Sequence, residues 1–76
     1  MSFYEIFEVD EDGHLTAVGG SQDEELATLI ARDNCDDWQI RFDGEVVAWF
    51  GHLANPDPNV LAEAKIVIPT HAPPPD

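Results

Sequence analysis

The amino-acid sequence predicts an α+β fold, a small single domain in which an antiparallel sheet of two hairpins packs on one helix. Asp43-Gly44 lies between two β-rich runs, residues 38–42 and 45–50, and this dipeptide is the strongest short-range sign of a hairpin. A second turn sequence at residues 10–13 separates two further β-rich runs. Between the hairpins lies a pattern typical of an amphipathic helix. The expected order is therefore β-β-α-β-β, followed by a short helix and a last strand.

The first hairpin is predicted from the run Phe3 to Val9, which is rich in aromatic and β-branched residues. Apolar residues lie on both of its faces, so we expect either an inner strand of the sheet or a strand whose second face contacts a partner. A turn over residues 10–13 follows, with Gly13 at a positive φ, and residues 15–18 form the returning strand. The pair Gly19-Gly20 is expected to end that strand.

The helix is predicted from the sequence Ser21-Gln22-Asp23-Glu24, which fits a capping box. It should run from Ser21 to about Asn34, with its acidic first turn favoured by the helix dipole. The apolar stripe that is expected to face the sheet consists of Leu26, Ala27, Leu29, Ile30 and Ala31.

The second hairpin is predicted to pair its two tryptophans. With a two-residue turn at Asp43-Gly44, regular antiparallel pairing places Trp38 opposite Trp49. The face that carries both tryptophans is the more apolar one, so we expect it to pack against the helix at Leu26 and Ile30.

The chain after this hairpin is predicted to contain a loop, a short helix and a strand. Two prolines force the loop over residues 55–58, and the helix is expected from Pro58 to about Ala64. Lys65 to Ile68 is the expected last strand. Residues 1–69 therefore form one α+β domain, and residues 70–76 are expected to be a Pro-rich flexible tail.

Composition favours a small cytoplasmic protein. The single cysteine, Cys35, excludes an internal disulfide and is typical of a reducing compartment. The start of the sequence lacks the basic end and apolar run of a signal peptide, and no stretch approaches the roughly 20 apolar residues of a membrane span. We therefore expect the cytoplasm, either of its own cell or of a host cell.

No arrangement of residues indicates catalysis, a cofactor or a metal site, so we do not expect an enzyme. A calcium loop beginning at Asp10 would place His14 and Ser21 at two positions that need other ligands, so an EF-hand is rejected. Weak binding of a cation at this acidic turn is the alternative that stays open. The three histidines and Cys35 do not occur at a zinc spacing. Neighbouring aspartates disfavour the Cys35 thiolate, so this residue is expected to be a neutral, buried or half-buried residue at the end of the helix.

Charge is the most unusual property of the sequence. Sixteen Asp and Glu against three Lys and Arg give a formal net charge of -13, whereas 43% hydrophobic residues indicate a folded chain. Nucleic acid and anionic membranes need clustered Lys and Arg, so neither is expected as a direct ligand. The expected partner is a basic protein surface, and crowding is expected to raise the carboxylate pKa values. The acids expected to bind this partner form three clusters: Asp10, Glu11, Asp12; Asp23, Glu24, Glu25; and Asp33, Asp36, Asp37.

Size and charge together point to nucleic-acid mimicry. A domain of this length is roughly 25 to 30 Å across, and duplex DNA of that length carries about 15 phosphates. In size, charge and compactness the whole chain resembles the small acidic DNA-mimicking inhibitors encoded by phages and mobile elements, anti-CRISPR proteins among them. The resemblance implies a non-catalytic protein that inhibits a host nucleic-acid-binding complex by occupying its DNA or RNA groove.

Two other functions are consistent with the same sequence. Many acids with a single Lys also suit a halophilic or merely acidic cytosolic protein. A small interaction module, such as an antitoxin or adaptor, would instead use its aromatic face, around Tyr4, Ile6 and Phe50, or a strand edge. The sequence leaves the oligomeric state open.

Overall fold

The computed structural model describes residues 3–57, 59 and 62–66. Its elements are, in chain order, β1 (Tyr4–Val9), β2 (Leu15–Ser21), α1 (Glu24–Asn34), β3 (Trp38–Phe42), β4 (Glu45–Phe50), a 3₁₀ helix (His52–Ala54) and β5 (Ala64–Lys65). The strands form one antiparallel sheet in the order β2-β1-β3-β4-β5, and α1 packs on one face. The predicted α+β architecture is confirmed. No helix in this part of the chain is long and apolar enough to span a membrane.

β1 is the inner strand that the sequence predicts, with β2 on one side and β3 on the other. Its residues alternate between two faces, so Ile6 is fully buried beneath α1 while Val9 is buried on the opposite face. The turn that follows has Gly13 at φ 82°, as predicted. Apolar residues on both faces of β1 therefore correctly identified it as an inner strand.

β2 continues through Gly19 and Gly20, so the prediction that these glycines end the strand is wrong. A Cβ at position 20 would lie 2.6 Å from the Phe3 ring, so only glycine lets this ring lie against the strand. A Cβ at position 19 would be 4.0 Å from Ile30 of α1, which is ordinary contact. Gly20 therefore allows close packing against β2, and neither glycine ends the strand.

The N-cap of α1 is Asp23, not Ser21. The Asp23 Oδ1 accepts a hydrogen bond from the Glu25 backbone N–H at 3.0 Å, and the Ser21 Oγ accepts one from the Asp23 N–H at 3.0 Å. Ser21 can contribute only to the turn before the helix because it is still paired with Tyr4 as the last residue of β2. The helix thus begins at Glu24, three residues later than predicted.

The buried face of α1 is made of small side chains. Ala27, Thr28 and Ala31 are fully buried, whereas Leu26 and Leu29, both predicted to face the sheet, are exposed by 49% and 44%. Small residues let the helix lie close to the strands, and the Thr28 hydroxyl is satisfied by donating to the Glu24 carbonyl at 2.9 Å. The apolar stripe of the sequence is therefore wider than the face that is buried.

The second hairpin contains a β-bulge that changes its register. The pairs next to the turn are as predicted, but Ile40 lies opposite Ala48, so Val47 is an extra residue in β4. One extra residue reverses the alternation beyond it. Trp38 therefore pairs with Phe50, their ring centroids 6.1 Å apart, and the predicted pair with Trp49 is wrong. Trp49 lies opposite Gln39 on the face away from α1.

The core lies between α1 and the sheet and contains few large side chains. Trp38 is 1% exposed and is the largest of its fully buried residues. The members of this cluster are Ile6, Ala27, Ala31, Cys35, Trp38, Ile40 and Ala48.

The region after β4 differs from the prediction where it can be compared. The 3₁₀ helix was not predicted, and β5 begins at Ala64, where the sequence predicts the end of a short helix. The predicted start of that helix, Pro58, and the predicted end of the last strand, Ile68, lie outside the described residues, as does the predicted tail at residues 70–76.

Candidate functional site

The fold divides the predicted acidic clusters between two ends of the molecule. The Val9 N–H donates to the Asp37 carbonyl at 3.0 Å, so the turn after β1 and the loop before β3 lie side by side. Asp33 is in the last turn of α1 and reaches the same end. The cluster of residues 23–25 begins the helix, which at 11 residues is about 16 Å long. Two of the three predicted clusters therefore meet, and the third does not join them.

We call the surface where these two clusters meet the acidic end. It consists of exposed carboxylates from three segments of the chain: Glu8, Asp10, Glu11, Asp12, Asp33 and Asp36. Among the described residues, none of these six forms an ion pair with Lys or Arg. The acidic end thus presents negative charge that the described part of the chain does not neutralise with a strong cation.

Glu8 belongs to the acidic end but was not predicted there. It lies opposite Trp38 where β1 passes β3, and its charge acts on Cys35 at the end of α1. In the sequence it is one of two separated acids in an otherwise apolar strand, outside any run of carboxylates. Only the pairing of β1 with β3 brings it to the loop at residues 35–37, and that long-range pairing has no local sequence signal.

Asp10 organises the turn as well as contributing charge. Its Oδ1 accepts hydrogen bonds from the Asp12 and His14 backbone N–H groups, both at 2.9 Å, and its Oδ2 lies 3.6 Å from the His14 Nδ1. The pKa of the Asp10 carboxyl is lowered chiefly by the hydrogen bond from the His14 N–H. The other backbone amides of the turn and the His14 imidazole lower it further. The expectation that crowding raises the carboxylate pKa values is therefore wrong at this residue.

The same turn places three groups that resemble a set of metal ligands. One ligand atom each from Asp10, Asp12 and His14 lies within 4.8 Å of the others, and all three residues are exposed. The hydrogen bonds that Asp10 accepts from this turn are sufficient to hold these groups together.

Asp37, although predicted as a binding residue, has a structural role. Its half-buried carboxylate lies against Gly51 and its Oδ2 accepts a hydrogen bond from the Leu53 N–H at 3.0 Å. Gly51 has φ 96°, and a Cβ there would collide with this carboxylate. Asp37 thus holds the start of the 3₁₀ helix, and its neighbour Asp36 is the exposed acid of the pair.

Two predicted acids at the other end of α1 also have partners within the chain. Asp23 caps the helix, and the Glu24 Oε2 accepts a hydrogen bond from the Tyr4 Oη at 3.1 Å. Desolvation and then this bond raise the pKa of Tyr4. The third acid, Glu25, is half-buried. The predicted cluster at residues 23–25 is therefore mainly part of the helix start.

Cys35 lies beneath the acidic end as the C-cap of α1. Its N–H donates to the Ala31 carbonyl at 2.9 Å, and burial raises the pKa of its thiol, with the charges of Glu8 and Asp36 adding to the effect. The prediction that Cys35 is a buried or half-buried residue at the end of the helix is confirmed. An open groove of about 420 Å³ lies beside it, lined by Arg32, Cys35, Asp36, Trp38, Phe50 and Ile66.

Arg41 makes its side-chain contacts on the face of the sheet opposite α1. The Arg41 guanidinium lies 5.5 Å from the Phe7 ring centroid and donates to the Gln39 Oε1 from Nε at 3.3 Å and from Nη2 at 3.2 Å. Gln39 in turn donates to the Ala54 carbonyl at 2.7 Å. The sheet separates this face from α1. Arg41 therefore makes its contacts away from the helix end where Asp33 and Asp36 lie.

The aromatic face proposed for an interaction module is not a single surface. Ile6 is fully buried and Tyr4 is half-buried against the core, whereas Phe50 is 45% exposed at the rim of the groove. What the structure brings together on its surface is carboxylate, an arrangement suited to accepting hydrogen bonds and ion pairs from a cationic partner.

Comparisons of the chain with protein-family models, curated proteins and solved structures find no match.

Proposed function

We propose that this protein is a non-catalytic binding protein whose acidic end occupies the nucleic-acid-binding groove of a basic protein or complex. The observation that carries the proposal is the gathering of six exposed carboxylates from three chain segments, without a Lys or Arg partner among the described residues. Carboxylates placed in this way can take the positions that phosphates occupy against Lys and Arg. The target is thereby kept from its DNA or RNA.

The net charge supports the same function through association rate. A formal charge of -13 produces a field that attracts a basic groove from a distance, and such steering raises association rates at low ionic strength. Acids at the C-terminal end of α1, such as Asp33, oppose the helix dipole and do not serve helix stability. A role in binding accounts for their position.

The test begins with capture of the target from the natural host and identification of the complex by mass spectrometry. Affinity is then measured for wild type, for Asp36→Lys and for the control Glu45→Lys, which makes the same charge change at an exposed residue of β4. Losing one partner of a desolvated charge pair costs about 2 to 5 kcal/mol, so Asp36→Lys should weaken binding by roughly 30-fold or more. Glu45→Lys should weaken it far less.

Competition supplies the second measurement. DNA or RNA that binds the captured target should displace the protein, and added salt should weaken the complex. Asp37 is left unchanged in these variants because its carboxylate holds the 3₁₀ helix. Equal binding by wild type and Asp36→Lys, together with no displacement by nucleic acid, would rule out mimicry.

A further inference from the structure

The outer edge of β2 is a second surface with the features of a binding site. β2 lies at one end of the sheet order, and β1 is its only neighbour within the described residues. It is seven residues long and contains no charged side chain, in a chain whose formal charge is -13. Leu15 and Val18 are exposed. Long, uncharged edges are normally shortened, charged, bulged or covered, because they pair readily with another strand. β2 has one bulge, at Val18, and its residues Leu15 to Ala17 before the bulge pair regularly with β1.

The hydrogen-bond pattern identifies the backbone groups that face outward. The Val9 N–H donates to the Asp37 carbonyl beyond β3, so Val9 directs its backbone groups away from β2. Leu15 lies opposite Val9, and Ala17 lies opposite Phe7. Phe7 is two residues from Val9 in β1, so it directs its backbone groups to the same side as Val9. In an antiparallel pair such residues direct both N–H and C=O to the free side. Among the described residues, Leu15 and Ala17 therefore have no backbone partner on their outer side and offer these groups to an added strand, whereas Thr16 directs its own to β1.

Acidic residues stand at both ends of this neutral edge. Glu11 and Asp12 lie in the turn before β2, and Asp23 is the second residue after it. The seven residues of β2 itself span about 23 Å. An added strand with uncharged residues at its centre and Lys or Arg at each end would match this distribution of charge. A second copy of this chain would instead bring like charges together, because antiparallel pairing of two β2 strands sets Asp12 of one copy near Asp23 of the other.

We propose that β2 binds an extended segment of a partner protein by strand addition, and that this segment has a β-forming, uncharged centre flanked by basic residues. Backbone hydrogen bonds to Leu15 and Ala17 hold the segment, and the two acidic ends fix its position. This surface shares Glu11 and Asp12 with the acidic end, but it lies along the sheet edge and does not include Asp33 and Asp36 of the helix end. It extends the proposed function with a separate contact and fails separately from it.

The probe is the synthetic peptide acetyl-Lys-Thr-Val-Thr-Val-Thr-Lys-amide, added to the whole isotope-labelled protein and followed by amide NMR. Binding should shift the Leu15 and Ala17 amides and slow their hydrogen exchange, while the Thr16 amide, already bonded to β1, keeps its exchange rate. A peptide with Glu in place of both Lys should bind about tenfold more weakly or worse. These measurements on wild type do not depend on any variant folding.

Ala17→Pro removes one outward N–H and should weaken binding by about tenfold, whereas the control Ala17→Val keeps that group and should bind as wild type does. Asp33→Lys with Asp36→Lys should leave peptide affinity within about threefold of wild type, which separates peptide binding from the helix end of the acidic surface. No binding, shifts confined to residues 33–36, or sedimentation showing that two copies pair through β2 would each overturn the proposal.

Discussion

Trp38 and Phe50 stack on each other but are buried to very different extents. Trp38 is 1% exposed within the core, and Phe50, at 45%, covers it from the solvent side. We expect Trp38→Ala to lower the free energy of unfolding by about 3 to 5 kcal/mol, because it empties the largest buried site. Phe50→Ala should cost less than about 2 kcal/mol, since half of its ring already contacts water. Urea denaturation measures both, and equal losses would contradict the bulged register.

The Asp10 carboxyl makes the turn after β1 sensitive to acid. Its pKa is lowered in the folded protein, chiefly by the His14 N–H, from an ordinary value of 3.8. A lowered folded pKa gives stability that is present above the unfolded value and is lost as the pH falls through the folded one. Wild type should therefore lose more stability below pH 3.8 than Asp10→Asn does, as thermal melts across this range would show. A steeper acid loss in Asp10→Asn would be the contrary result.

At the scale of elements, the two adjacent glycines of β2 provide a matched comparison. Gly20→Ala would place a Cβ 2.6 Å from the Phe3 ring and 2.9 Å from the Tyr4 carbonyl oxygen, so it should be destabilising by about 1 to 3 kcal/mol. Gly19→Ala meets only Ile30 at 4.0 Å and should be neutral or stabilising by up to about 1 kcal/mol, because it restricts the unfolded chain. Melting temperatures of the two variants test this difference. Similar values would mean that Phe3 does not lie on the strand.

Local signals in the sequence predicted the elements better than their edges. The Asp43-Gly44 turn and the two-faced β1 follow from residue type and alternation, which act within a few positions. The bulge at Val47 does not follow from such local signals, because it depends on the fit of fully buried Ala48 against the core. A regular register would set Val47 opposite Ile40 and keep Trp49 on the α1 face. Packing between distant elements determines the register of β4, and the alternation of apolar residues alone does not predict it.

The acidic end was predictable only in part for a similar reason. Runs of acids identified the turn at residues 10–12 and the loop around Asp36, but Glu8 joins them only through the pairing of β1 with β3. The sequence does not distinguish Asp37 and Asp23 from the acids beside them. Their hydrogen bonds to the Leu53 and Glu25 amides show that they stabilise local structure. Charge pattern therefore indicates where a surface is acidic, and contacts show which acids also stabilise the fold.

For the whole molecule, net charge sets the response to salt. With a formal charge of -13, repulsion among exposed carboxylates opposes the compact state, and salt at about 0.15 M screens charges over roughly 8 Å. We expect the melting temperature to rise between about 0.02 and 0.5 M NaCl. The variant with Asp33→Lys and Asp36→Lys should show a smaller rise, because it carries fewer repelling charges. A flat or falling wild-type curve would indicate that the charges are compensated within the fold.

The buried position of Cys35 makes the only thiol of the chain a reporter of local opening. At 8% exposure and with a raised pKa, it should react with alkylating reagents chiefly when the last turn of α1 separates from the sheet. The labelling rate then measures how often this end of the helix opens. Contact of a target with Asp33 or Asp36 would hold that turn in place and slow the reaction, so a single chemical label could follow binding without any change to the sequence.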